Sequence, residues 1–137
     1  MSRRPIPALL VLLLPACQLL TGSDGAPELR ASDSSFQAGD TARAELVNRS
    51  SERLGFGGCS LSLQRHTPDL WETAVPPAQL CAAILFVIGP GKRAERKLAV
   101  PSTMPEGEYR LRDVVMPGTS LPELELFSQP FEIVGSP

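Results

Sequence analysis

One histidine, no Cys-x-x-Cys pair and no apolar run approaching membrane-spanning length leave these 137 residues short of much of the chemistry a protein can carry. A soft-metal site needs three or four converging ligands, and His66 with scattered cysteines makes no recognisable set. A Ser–His–Asp arrangement would have His66 alone as its base, and there is no Gly-x-Ser-x-Gly elbow. No glycine-rich loop leads into a helix to cradle a phosphate. No stretch keeps a 3.6-residue amphipathic period. Glu106 with Glu108, and Glu123 with Glu125, share a face if extended. Beside Gly107 and Pro122 they read as solvated turn acids rather than an acid–base pair. Neither metal nor cofactor is expected.

Charge excludes a further class. Of 13 basic residues, Arg3 and Arg4 fall in the first 16, which hold no acid; 11 bases then face 15 acids, a net −4. A mildly acidic protein has no general attraction for nucleic acid or anionic lipid. Hydrophobic residues at 42% exclude wholesale disorder, and 14 Pro with 11 Gly, without a period, suit short strands joined by turns.

What is present begins with the leader. Met1-Ser2-Arg3-Arg4 is a short basic segment, and the apolar run 6–14 is interrupted only by Pro7. A permanent span needs roughly 20 residues, so this run suits a signal peptide instead. Leu14-Pro15-Ala16-Cys17 resembles the lipobox of bacterial lipoproteins, with Pro15 where a small or hydroxyl residue is usual. The resemblance implies removal of residues 1–16 and acylation of Cys17. Two or three acyl chains then anchor the protein to a membrane, since each buried CH₂ contributes about 0.8 kcal/mol. Ordinary secretion, with cleavage after Ala16 or near Ala26, is the alternative. Gln18 is not the Asp that retains many lipoproteins at the inner membrane, so a diderm host would carry this one in the outer membrane. Residues 17–27 then form the lipidated cysteine and a flexible tether.

Lipid on Cys17 leaves Cys59 and Cys81 as an even pair in an oxidising compartment. The expected bridge closes a 22-residue separation; two buried free thiols are the alternative.

Residues 28–137 carry recurring strand signals. A strand is expected over 28–36. Over 41–48, Ala42, Ala44 and Leu46 alternate with Arg43 and Glu45, the pattern of a half-buried antiparallel strand. A strand with Cys59, Leu61 and Leu63 inward and Ser60, Ser62 and Gln64 outward follows, then a short one around Trp71. The apolar stretch 81–88 is expected to cross the centre of the fold. Residues 92–100, 109–112 and 125–134 complete the series, with Pro130 marking an edge or a bulge. Seven or eight antiparallel strands in about 110 residues, without a helix, point to an all-β immunoglobulin-like sandwich. The segments AGDTARAELVNRS (38–50), PGKRAE (90–95), MPEGEYRL (104–111) and SQPFEI (128–133), in that order, resemble bacterial immunoglobulin-like (Big-type) domains. Within that resemblance Gly107 and Tyr109 look like a tyrosine corner, with Trp71 a further structural residue. The Cys pair is too close in sequence to be the usual inter-sheet bridge and would pin neighbouring elements instead.

Two surface features are candidates for binding. Lys92, Arg93, Arg96 and Lys97 form a basic cluster, either a dock for an acidic envelope partner or a solvated edge strand defended by charge. Residues 54–58 place Phe56 among three glycines, either as the aromatic tip of a binding loop or as a bulge before Cys59. Asn48-Arg49-Ser50 fits a glycosylation sequon, an accidental match in a bacterial lipoprotein. The function expected is non-enzymatic: a lipid-anchored envelope module that binds protein or glycan, or props up an assembly. The alternative is a protease inhibitor presenting loop 54–58 or 66–70. An envelope hydrolase has no constellation to support it.

The anchor and the bridge make one prediction. Protein taken from membranes of its native host should have the mass of acylated 17–137, and reduction should add the mass of one hydrogen molecule. An unacylated mass that retains residues 1–16 and ignores reductant would sink both readings.

Overall fold

The computed structural model describes residues 25–136 except 80 and 82; the expected leader, Cys17 and the tether up to residue 24 lie outside the described residues. The described residues contain strands and turns but no helix. In chain order the strands are β1 (Glu28–Ala31), β2 (Ser35–Gln37), β3 (Thr41–Val47), β4 (Leu54–Gly57), β5 (Ser62–His66) and β6 (Trp71–Val75). There follow β7 (Leu85–Ile88), β8 (Arg93–Ala99), β9 (Gly107–Pro117), β10 (Leu124–Phe127) and β11 (Phe131–Val134).

One sheet has the order β1-β3-β8. The other runs β2-β11-β9-β4-β7, with β10 also on β9 and the hairpin β5–β6 joined through β5 to β9. All pairings are antiparallel except β2 with β11. These eleven segments are seven long strands, four of them interrupted. β4 and β5 lie end to end along one side of β9, and β10 and β11 along the other. β7 and β6 continue outward beside β4 and β5. The first strand changes sheet between β1 and β2. Two such sheets, joined in this order, make an immunoglobulin-like β-sandwich.

Period-two alternation supplies the core, because successive side chains point to opposite faces. In β9, Tyr109, Leu111, Asp113 and Val115 are buried while their neighbours are only partly so. In β3, Ala42, Ala44 and Leu46 turn inward. The tyrosine corner is present: Tyr109 Oη donates to Pro105 O at 2.6 Å. Burial raises the Tyr109 pKa above its ordinary value, with Arg65 opposing, so the hydroxyl stays a donor. Gly107, two residues earlier, has φ 155°, which L side chains rarely adopt.

Three of the interruptions have visible causes. At residues 128–130, Pro130 has no N–H to pair, and Ser128 turns its Oγ to accept from Leu111 N at 2.9 Å. Between Phe56, opposite Val115, and Ser62, opposite Arg112, the chain takes six steps where β9 takes three. Residues 58–61 form the resulting bulge, and Cys59 in it is disulfide-bonded to Cys81 at a Cα separation of 6.1 Å. Cys81 belongs to the segment 76–84 that interrupts β6 and β7, so the bridge pins two neighbouring elements. A loop of that length contributes on the order of 3 kcal/mol in the chain-entropy model. Ser62, expected outward, is buried, and its Oγ donates to Arg112 O of β9 at 3.4 Å.

Asp113 stands at a core position opposite this bulge and is fully buried. It accepts from Arg96 Nε (2.7 Å), from Ser60 Oγ and from Val114 N (2.9 Å). Arg96 reaches it from β8 in the other sheet and also donates to Gly57 O at 2.9 Å, a carbonyl at the edge of the bulge. Ala44 lies opposite Arg96 in the register, and its small side chain leaves room for the guanidinium. The pair divides the interior into two apolar clusters, Tyr109 and Leu111 in one and Leu46, Leu54, Phe56 and Val115 in the other.

Two stability measurements follow. Tyr109→Phe should cost about 1 kcal/mol in urea unfolding at neutral pH. The folded-state pKa is raised, so that contribution is whole below the ordinary tyrosine range and declines as pH rises beyond it. A gap between wild type and Y109F that widened in alkali would contradict this. Arg96→Met should cost about 3–5 kcal/mol by leaving Asp113 buried and uncompensated, and R96M/D113L should recover most of it. Additive losses would show that the two side chains act separately.

Candidate functional site

Sheet edges are where a sandwich meets partners, because a strand paired on one side leaves main-chain donors and acceptors unmet on the other. Most edges here are defended. β8 presents Arg93, Glu95 and Lys97 outward. β1 presents Glu28 and Arg30, which are 3.1 Å apart, and Arg49 adds to Glu28 at 2.8 Å. β2 carries Ser35 and Gln37, and β6 carries Glu72 and Thr73.

β7 is different. It pairs only with β4 among the described strands. Leu85, Phe86 and Val87 are 44%, 46% and 38% exposed, and Ile84 just before them is 54% exposed. No charged residue lies between Glu72 and Lys92. Of the stretch 81–88, expected at the centre of the sandwich, Leu85–Ile88 is thus an edge strand. An apolar run without alternation says that both faces avoid water, but not whether this chain or another covers them.

Glycines in β4 and the following turn let this edge lie close. A Cβ on Gly55 would meet Leu85 Cδ1 at 3.0 Å, and one on Gly58 would meet Phe86 Cε2 at 3.0 Å. The outer flank of β7 opens into a groove of about 440 Å³ lined by Gly57, Pro77, Ile84, Leu85, Val114 and Met116 among others. On the inner flank, Phe86 stacks on Phe56 with centroids 5.5 Å apart. Arg96 lies over the Phe56 ring at 4.8 Å. The buried ion pair therefore reaches the edge strand through two rings. Phe56 is not the tip of a binding loop: it is 6% exposed on β4, and loop 54–58 is largely strand. The alternation Leu54, Phe56 against Gly55, Gly57 was a period-two signal that the glycines obscured.

The remaining sequence candidates fall elsewhere. The basic cluster is split by the pleat. Arg96 points inward to Asp113, whereas Arg93 meets Glu45 at 3.3 Å and Lys97 meets Glu95 at 3.8 Å. Arg43 also pairs with Glu95, at 2.7 Å, so this face is a lattice of mixed charge. Lys92 lies in the turn before β8. His66 ends β5, stacks on Trp71 at 4.7 Å and has Nδ1 3.5 Å from Glu108 Oε2. Arg110 sits between the Trp71 and Phe127 rings, at 4.4 and 3.9 Å, and donates to Gln64 Oε1. Burial draws its pKa below the ordinary arginine value, with Glu125 opposing. Trp71 thus braces the outer face of the sheet rather than the interior. Turn 66–70 is closed by Thr67 Oγ1 and Leu70 O at 2.8 Å. Of the paired acids, Glu106 accepts from Gly135 N at 2.9 Å and Glu125 is bound to Arg112. Asn48 of the sequon is fully buried, and its Nδ2 donates to Glu52 O, Ile88 O and Gly89 O. No group of three or more His, Cys, Asp or Glu converges as a metal site among the described residues.

No protein-family model matches the sequence, and no curated protein matches it. Solved structures do resemble the fold. The Salmonella enterica SafA pilin in complex with the SafB chaperone aligns at 15% identity over 80% of this chain and 54% of that chain, with a TM-score of 0.50. The CsuC–CsuE chaperone–tip adhesion subunit pre-assembly complex of Acinetobacter baumannii aligns at 14% identity over 80% and 57%, with a TM-score of 0.49. Neutral ceramidase from Pseudomonas aeruginosa aligns at 13% identity over 83% of this chain and 19% of its own, with a TM-score of 0.44. This chain thus spans less than two thirds of each. At such identities the likeness is one of fold, an immunoglobulin-like β-sandwich.

Proposed function

We propose that this protein is a non-enzymatic, lipid-anchored module of the bacterial cell envelope that holds a protein partner along the β7 edge. The carrying observation is that edge: an uncharged strand exposing Leu85, Phe86 and Val87, where β2, β6 and β8 carry charged or polar side chains and β10 sets Glu125 between its exposed Leu124 and Phe127. An extended segment added there gains main-chain hydrogen bonds from β7, and its alternate side chains enter the grooves on the two flanks. Apolar burial supplies the driving force, at about 25 cal/mol per Å². The Cys59–Cys81 bridge suits an oxidising compartment, and Leu14-Pro15-Ala16-Cys17 supplies the lipid attachment. A fold neighbour that is itself caught as a pilin–chaperone pair fits a protein rather than a glycan as the partner.

Two arms test this in the native host. A photo-crosslinking side chain at position 87 should yield protein adducts, while one at position 43, on the outer face of the other sheet, should yield none. Cys17→Ala should move the chain out of the membrane fraction. Absence of any protein adduct at positions 85 and 87 would refute the binding role; a C17A variant still in the membrane would refute the anchor.

A further inference from the structure

The described chain begins at one end of the sandwich, and we infer that this end docks on the anionic phospholipid surface that holds the acyl chains of Cys17. The inference rests on the reading of Cys17 as lipidated and is independent of the β7 edge.

Reach decides which end faces the lipid. Gly25 lies against Ser50, and the two line a hollow with Arg49, Glu52 and Pro117. Strand register gathers four segments here: 25–27 before β1, 48–53 between β3 and β4, 89–92 between β7 and β8, and 118–123 between β9 and β10. The eight steps from Cys17 to Gly25 extend to about 29 Å at most. β9 runs from Gly107 at the opposite end to Pro117 at this one, and its eleven residues span about 33 Å. A domain standing on the opposite end would hold Gly25 beyond the reach of a lipidated Cys17. The Gly25 end therefore stays near the membrane.

Charge is divided between the same two ends. The four segments at the Gly25 end carry Arg49, Arg53 and Lys92 against Glu52 and Glu123, a net +1. All three bases are exposed. The turns at the opposite end, 38–40, 67–70 and 100–106, carry Asp40, Asp69 and Glu106 with no Lys or Arg, a net −3. An anionic surface attracts the first end and repels the second. The mild acidity of the whole chain conceals this polarity, which orients the domain instead of keeping it off the lipid.

An apolar contact completes the surface. Leu121 is 73% exposed, more than any other large apolar side chain among the described residues. Its loop is tied at the base: Gly118 N donates to Arg53 O at 2.8 Å, and Thr119 N to Met116 O at 3.0 Å. Gly118 and Thr119 have φ of 64° and 59°, a left-handed conformation that a β-branched residue rarely takes. This tight turn presents Leu121 at the same end as Arg49, Arg53 and Lys92. Apolar side chains that enter the headgroup region, with cations among the phosphates, are what hold a protein face on a bilayer. Leu70, half exposed at the opposite end, stands next to Asp69 instead.

The test uses the full chain in its native host. A photo-crosslinking side chain at position 121 should form phospholipid adducts, while one at position 69 should form none. Arg53→Glu with Lys92→Glu should lower the lipid adduct at 121 by about fivefold or more, with the acylated mass unchanged apart from the substitutions. Retention of the Cys59–Cys81 bridge and of the thermal transition shows that the variant is folded. An acylated chain without a lipid adduct at 121, or with a protein adduct in its place, would overturn the inference. Equal lipid adducts at position 69, or an undiminished adduct in R53E/K92E, would do the same. In each of these cases the anchor stands. An unacylated mass would bring down the anchor and this docking surface together.

Discussion

Arg96 and Asp113 join the two sheets between the two apolar clusters of the interior, and the surrounding geometry accommodates that join. Bringing two charges out of water costs several kcal/mol each before their attraction and hydrogen bonds offset it. Here the offset is thorough: Asp113 accepts from Arg96, Ser60 and Val114, and Arg96 also takes the Gly57 carbonyl. Among the described residues no buried side-chain polar atom lacks a partner. Such a pair constrains more than it stabilises. It admits one alignment of β8 against β9, because a slip of one residue would turn either charge to the outside and bury its neighbour.

The bulge at residues 58–61 belongs to the same arrangement. Without it, β4 and β5 would run as one strand beside β9, and neither Gly57 O nor Ser60 Oγ would turn toward the guanidinium. With it, Cys59 is placed to meet Cys81, four residues before β7 begins beside β4. Asn48 secures the other end of β7 by binding the carbonyls of Ile88 and Gly89. The edge strand is therefore fixed at both ends by groups that are not its own, while its other side pairs with no strand among the described residues.

Much of the sandwich was legible because alternation is a local signal. β3 and β9 follow it almost residue for residue, Tyr109 forms its corner with Pro105, and Pro130 breaks the last strand. What the sequence hid depends on distance along the chain. Arg96 sits among three other basic residues and looks like one of them; only the pleat and the remote Asp113 set it apart. Phe56 lies between glycines, and flexibility is the ordinary inference from glycine, yet these glycines serve the close approach of Leu85 and Phe86. The run 81–88 is apolar on both faces, which in isolation means burial, and nothing local tells whether that burial is supplied within the same chain. The edge was the feature of the candidate site that sequence pattern misplaced.

The parallel pairing of β2 with β11 bears on how the fold carries mechanical load. β2 lies near the beginning of the described chain and β11 near its end, and both run in the same direction. Tension drawn between the two ends pulls the strands in opposite senses along their common axis. The rungs Ser35–Glu132, Phe36–Ile133 and Gln37–Val134 then bear the force together in shear, rather than opening one after another as a peeled antiparallel hairpin does. A domain tethered from its N-terminal side and tugged from its far end would resist at the clamp closest to both points of attachment.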